Sequence, residues 1–196
     1  TEENRHLYFE VNRDLAVAMA QKAKDAGIPV MLNPAPATDL DEELLSLVTY
    51  LTPNEQEASV ETGLPLASDE HGACKDDLLK IAAALREKGV ERTIITLGGA
   101  GSAVVGSDSI HYIPCVCMPH IADPTGAGDS FVGALSVGVS IGLSLDQALH
   151  FASHTAAITV SRLGAMPSLP TLEEVILLMK DRKYKGFDPS LLDILR

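Results

Sequence analysis

Asp123-Pro124-Thr125-Gly126-Ala127-Gly128-Asp129 stands where a loop of small residues turns into a long apolar helix, and the residue types suit the handling of phosphate. Backbone N–H groups of Ala127, Gly128 and Asp129 fall in a first helical turn, which offers them no partner and places the positive end of the helix dipole beside them. Gly126 and Gly128 let a bulky anion reach the backbone. Asp129 would repel a phosphate that was merely bound, but it can take the proton of a hydroxyl acceptor during phosphoryl transfer. The same residues also read as turn glycines followed by a favourable first-turn acid, so the motif alone leaves both readings open.

Further loops fall where open α/β sheets bind ligands, beyond the carboxyl ends of strands: Asn33–Ala37, Pro53–Glu57 and Gly98–Gly101. Asn54 and Glu57 are three apart at a helix start. They suit a phosphate donor and an acid that orients Mg²⁺-bound water, or equally a capping pair. Gly98-Gly99-Ala100-Gly101 lacks the Lys and Ser/Thr of a Walker loop and leads into a strand, which leaves close nucleotide approach or a tight turn. His150 and His154 are four apart on a helix without a third ligand nearby, so packing is preferred to metal binding. Arg162–Ser168 ends a helix in a Gly and Pro loop that a simple C-cap explains.

These residues need a scaffold, and helical and strand patterns alternate through most of the chain, as in βαβ units. Asn12–Ala26 reads as a helix, Ile28–Leu32 as a buried strand and Asp41–Val48 as a helix before a strand at Tyr50–Thr52. A helix then ends at Gly63, Lys75–Lys88 is another, and Thr93–Leu97 is a β-rich run. Ser102–Val105 and Ile110–Pro114 flank a Gly-Ser-Asp-Ser turn as a β-hairpin. Asp129–Ile141 and Leu145–Ser161 read as apolar helices, and Thr171-Leu172-Glu173-Glu174 as a capping box opening one more. The fold class is α/β: a doubly wound, mostly parallel sheet with helices on both faces and a β-hairpin toward the C-terminal side. Residues 12–196 form one domain on this reading, preceded by an irregular start over 1–11.

The chain has 196 residues, 46% of them hydrophobic, enough for one sizeable core, and a formal net charge of −12. That charge argues against nucleic acid or an anionic membrane as a partner, and no apolar run reaches the length of a membrane span. Cys74, Cys115 and Cys117 do not make a disulfide framework and read as reduced thiols, with Cys115-x-Cys117 as a lesser soft-metal alternative. A cytoplasmic protein is expected.

In order and spacing, Asn33-Pro34-Ala35-Pro36-Ala37, Thr52–Glu57, Thr96–Gly101, Asp123–Asp129 and Gly164–Ser168 resemble the ribokinase-like, or phosphofructokinase-B type, family of carbohydrate kinases. The resemblance implies Asp129 as catalytic base and Gly126, Ala127 and Gly128 as the anion hole. It implies nucleotide contacts from Asn54, Thr96, Gly98, Gly101, Ser153 and His154, and Mg²⁺ held through water by Glu57. Asp123, Thr125, Thr159, Arg162, Gly164 and Ser168 match positions around an activating monovalent cation, expected to be K⁺. The implied partners are ATP and a small sugar, D-ribose first, giving ribose 5-phosphate, with a nucleoside, fructose or other sugar as alternatives. A homodimer is implied for the complete enzyme. Pro124 departs from the family's usual Thr or Ile. The family's N-terminal part, with its lid and substrate motif, is not visible, so the chain resembles the C-terminal portion of such a kinase. Alone it is expected to be inactive, or a nucleotide-binding fragment without chemistry.

Overall fold

The computed structural model describes residues 2–69, 72–182 and 187–196, and side chains other than those of 2–11, 68, 69 and 72. They group into two compact units, Thr1–Leu97 with Ala103–His111, and Gly98–Ser102 with Tyr112–Arg196.

The first unit opens with α1 (Glu2–Asp25). The irregular start expected over 1–11 is therefore helical from Glu2, Thr1 lying outside the described residues; with no Gly or Pro before Gly27, nothing interrupts the helix. Ala16, Val17 and Ala20 of α1 pack on Leu44 and Leu47, around α2 (Glu42–Leu45). Strands β1 (Met31–Leu32) and β2 (Tyr50–Leu51) are shorter than the apolar runs that encode them. Pro29, Pro34 and Pro53 lack the N–H that would prolong a ladder. After α3 (Glu55–Thr62) come β3 (Ser68–Asp69) and β4 (Gly72–Ala73), a small antiparallel pair, then α4 (Lys75–Glu87) and β5 (Arg92–Thr96).

The main sheet has the order β1-β2-β5-β6-β7, with β6 (Ser102–Val105) and β7 (Ile110–Ile113). β1, β2 and β5 run parallel, pairing Met31 with Tyr50 and Leu51 with Thr93. Gly106 N–H donates to the Ser109 carbonyl at 2.9 Å and closes the expected hairpin. Ile94 and Ile95 are both fully buried, and since neighbours on a strand face opposite ways, β5 is covered on both faces. Leu78, Ile81, Ala82 and Leu85 recur at helical spacing on α4 and seal one face with Leu45, Leu51, Ile95 and Val105.

The second unit is helical: α5 (Ala127–Ser140), α6 (Leu145–Val160) and α7 (Leu172–Asp181), with short 3₁₀ turns at Gly98–Ala100, Met166–Ser168 and Pro189–Leu195. α6 is buried nearly all round. α5 meets it so closely that a Cβ on Gly138 would lie 2.8 Å from Ala148 Cβ. The Thr171–Glu174 capping box forms as the sequence predicts. Among the described residues, no helix is long and apolar enough to cross a membrane.

Candidate active site

In the second unit, the Asp123–Asp129 turn is built by its own polar groups. Ala122 and Asp123 N–H donate to the Val160 carbonyl at 2.8 and 3.2 Å, pinning the start of the turn to the end of α6. Asp123 Oδ1 accepts from Thr125 N–H at 2.9 Å and Oδ2 accepts from Gly164 N–H at 3.0 Å. The Thr125 hydroxyl, then the two amides, hold this carboxyl below the usual carboxylate range. Gly126, at φ 80, caps α5 from the left-handed region that glycine adopts without strain. Ala127 N–H, expected among the open anion donors, instead closes the turn onto the Pro124 carbonyl at 3.1 Å. The donors left to the first turn are the amides of Gly128 and Asp129. Gly128 and Asp129 are exposed, and a Cβ on Gly128 would meet no heavy atom within 4 Å.

Of the residues that the resemblance matches to a cation, Thr159, Arg162, Gly164 and Ser168 lie at the end of α6 and along the loop after it, and several of their side chains are engaged. Thr159 Oγ1 donates to the Thr155 carbonyl at 3.1 Å, and Ser168 Oγ to the Ala165 carbonyl at 2.6 Å. Arg162 makes a two-pronged contact with Glu174, Nη2 to Oε1 at 2.5 Å and Nη1 to Oε2 at 3.4 Å. Glu174 carries no mark in the sequence beyond its capping position, since a pairing across the loop has no periodic signal. Asp123 and the backbone carbonyls are the oxygens here suited to a hard monovalent cation.

Ser153 and His154 sit on α6, 8% and 2% exposed. His154 Nδ1 lies 2.7 Å from the His150 carbonyl of the same helix, and burial pushes its imidazole below the ordinary value. Burial with a partner on the same helix is the setting of a packed histidine. Beside Asp129, α5, α6 and α7 line a cleft of about 450 Å³ with Gly133, Val137, Phe151 and Val175. Its walls are largely apolar, whereas a sugar pocket needs converging polar groups.

The glycine turn after β5 separates into two roles. Gly98 has open space around it, as a ligand-facing residue would. Gly101, at φ 98, is required by the chain itself: a Cβ there would fall 2.1 Å from the Ile113 carbonyl oxygen and 2.7 Å from Cys115 N. Gly101→Ala should therefore cost at least about 2 kcal/mol of stability, measured by urea unfolding; a loss under about 0.5 kcal/mol would show that the turn relaxes freely.

In the first unit, Asn54 caps α3, its Oδ1 accepting from Glu57 N–H at 2.9 Å while Glu57 Oε2 accepts from Asn54 N–H at 2.8 Å. Both partners of the capping box are thus in place, which leaves the Asn54 amide group and Glu57 Oε1 for other work. Asn54 also bridges to Thr96, whose N–H donates to the Pro53 carbonyl at 2.9 Å, so these residues share one end of the parallel strands. Among the described residues, no group of three or more His, Cys, Asp or Glu could hold a metal by itself. A divalent ion at Glu57 would need phosphate oxygens and water to complete its shell, the mode that suits Mg²⁺.

Residues 5–172 match the family model of the pfkB family carbohydrate kinases. The chain belongs to that family. The pfkB chain is 41% identical to the ribokinase of Haemophilus influenzae over 157 residues, which is 80% of this chain and 49% of that protein. It is 34% identical to the ribokinase of Schizosaccharomyces pombe over 170 residues, 86% of this chain and 52% of the relative. The structure of Arabidopsis thaliana ribokinase complexed with ribose and ATP superimposes with a TM-score of 0.79 at 31% identity, covering 86% of this chain and 53% of that one. The pfkB chain thus spans about half the length of these relatives.

Proposed function

We propose that this chain is the nucleotide-binding, C-terminal portion of an ATP-dependent ribokinase, converting D-ribose and ATP to ribose 5-phosphate and ADP. The observation that carries the reading is the pairing of Asp129, an exposed carboxylate in the first turn of α5, with the open face of Gly128 beside it. Amides of Gly128 and Asp129 hold the transferred phosphoryl oxygens, with Gly126 setting the turn. The Asp129 carboxylate takes the proton of the sugar hydroxyl as the hydroxyl oxygen attacks the γ-phosphorus of ATP and the bond from that phosphorus to the bridging oxygen breaks, releasing ADP. Asn54 donates to a phosphate oxygen, Glu57 orients Mg²⁺-bound water, and Thr96 and Gly98 border the nucleotide. Asp123, Thr125, Thr159, Arg162, Gly164 and Ser168, several of them through backbone carbonyls, would hold K⁺, which would add positive charge beside the anion hole. The name and bound ligands of the Arabidopsis relative support the sugar and the nucleotide, and the chemistry of the donor set supports the ions.

The share of the relatives that is covered and the apolar cleft beside Asp129 support a second element of the reading: the chain alone binds nucleotide and transfers little phosphate, because the sugar is positioned from elsewhere. The complete enzyme acts on its sugar in the cytoplasm as a homodimer, with another sugar or a nucleoside as the alternative acceptor.

Calorimetric titration of Mg·ATP into the chain, in potassium and in sodium buffer, tests this. Gly128→Val should leave the unfolding free energy within about 0.5 kcal/mol, since the new side chain points into open space. ATP affinity should fall at least about tenfold, because that space is where the phosphate stands. Equal affinity in the variant would remove the anion hole from the assignment, and no binding by the parent would show that this chain does not carry the nucleotide site alone.

A further inference from the structure

We infer that Glu174, on α7, is a positioning residue for the anion-binding turn, acting on it through Arg162 and the loop between α6 and α7. The inference rests on the kinase reading of that turn, and every contact in it lies within the second unit. Glu174 is fixed from its own side: Oε2 accepts Thr171 N–H at 2.8 Å and the Thr171 hydroxyl at 3.2 Å, while Glu174 N–H donates back to Thr171 Oγ1 at 3.4 Å. The carboxylate so held receives both prongs of the Arg162 guanidinium. Together these partners bring Glu174 down to about 2, with the Arg162 hydrogen bond the largest cause.

Arg162 opens the turn that leads into Gly164, its N–H donating to the Thr159 carbonyl at 3.1 Å. Gly164 N–H grips Asp123 Oδ2, and Asp123 Oδ1 grips Thr125 N–H, one residue before the Gly126 cap of α5. Ala165, next along the loop, lies 3.5 Å from where a Cβ on Gly126 would stand. The order is therefore α7, Glu174, Arg162, Gly164, Asp123, Thr125 and the amides of Gly128 and Asp129. An exposed ion pair ordinarily contributes little, because two long side chains must be ordered to make it. Here the capping box has already ordered one of them, and the contact is forked, the geometry in which Arg and carboxylate specify direction as well as charge.

Glu174→Gln separates this role from simple helix capping, since Gln serves at the third position of a capping box but carries no charge for Arg162. In the ¹⁵N-labelled 196-residue chain, Glu174→Gln and Arg162→Lys should each speed exchange of the Gly164 and Thr125 amide protons by about tenfold. The amides of Leu85 and Ile94 in the first unit should not change, nor should Glu173→Gln, one position earlier and exposed, have an effect. Unchanged exchange, or acceleration spread evenly over the chain, would overturn the inference.

Titration of Mg·tripolyphosphate, followed at the Gly128 and Asp129 amides, then reads the consequence. The parent should show saturable shifts and Glu174→Gln should bind at least about threefold more weakly. No shift in the parent would overturn the phosphate reading of the turn, whereas shifts with equal affinity in the variant would overturn the positioning role alone.

Discussion

Asp129→Asn in the kinase proposed above should lower kcat by about 10²- to 10⁴-fold, the range that a positioned general base contributes, while leaving ATP affinity within about threefold. The separation is expected because Asp129 makes no ion pair among the described residues and is exposed, so the fold does not lean on its charge. Its only structural contribution is that of an acid in the first turn of α5, worth about 0.3–1 kcal/mol, and Asn retains the shape. Parallel steady-state kinetics and calorimetric titration of Mg·ATP decide the matter. A variant with at least half the parent kcat would return Asp129 to being a first-turn acid and nothing more. A variant that loses ATP binding as well would move its role from proton transfer to the nucleotide.

The largest stability effect should come from the opposite kind of carboxylate. Glu61, at the end of α3, has a side chain with no exposure at all; it accepts Leu40 N–H at 3.0 Å and Lys88 Nζ at 2.8 Å. Lys88 Nζ also donates to the Glu61 carbonyl at 2.6 Å, closing the C-terminal side of α3 against the end of α4. Lys88→Met should destabilise the chain by about 3–5 kcal/mol, because it strands a buried charge. Adding Glu61→Leu to it should recover a good part of that loss, since the pair attract one another mainly to offset their shared loss of water. Urea unfolding of the two single variants and the double variant reads the coupling directly. A Lys88→Met cost below about 1 kcal/mol would mean that water reaches Glu61 in the folded chain.

Local chemistry made much of the scaffold readable. Gly63 and the Thr171-x-x-Glu174 box mark helix ends with residues that act within one turn, and they appear in the structure where the sequence puts them. β3 and β4 left no trace because strands of two residues have no period to detect. The start of α1 was hidden for the converse reason, since polar helix formers look irregular when apolar spacing is the guide.

At the site, residues that look alike in the sequence take different places in the structure. Gly101 and Gly128 look alike in the chain, yet one is dictated by the Ile113 carbonyl a dozen residues on and the other faces open space. His154 carries the chemistry of a ligand, but its Nδ1 meets a carbonyl of its own helix. Arg162 resembles part of a cation loop in the sequence, and its tie to Glu174 spans 12 positions that no helical or strand period relates.

The doubled hydrogen bond between Asn54 and Glu57 has a consequence for the cost of binding. A long acidic side chain that must organise water around an ion usually gives up its rotamer freedom when the ligand arrives. In this chain Glu57 gives up that freedom when α3 forms, held by the Asn54 backbone N–H and 8% exposed before any nucleotide is present. The entropy is surrendered once, during folding, and on the proposed reading each later round of nucleotide capture and release would meet a carboxylate already ordered.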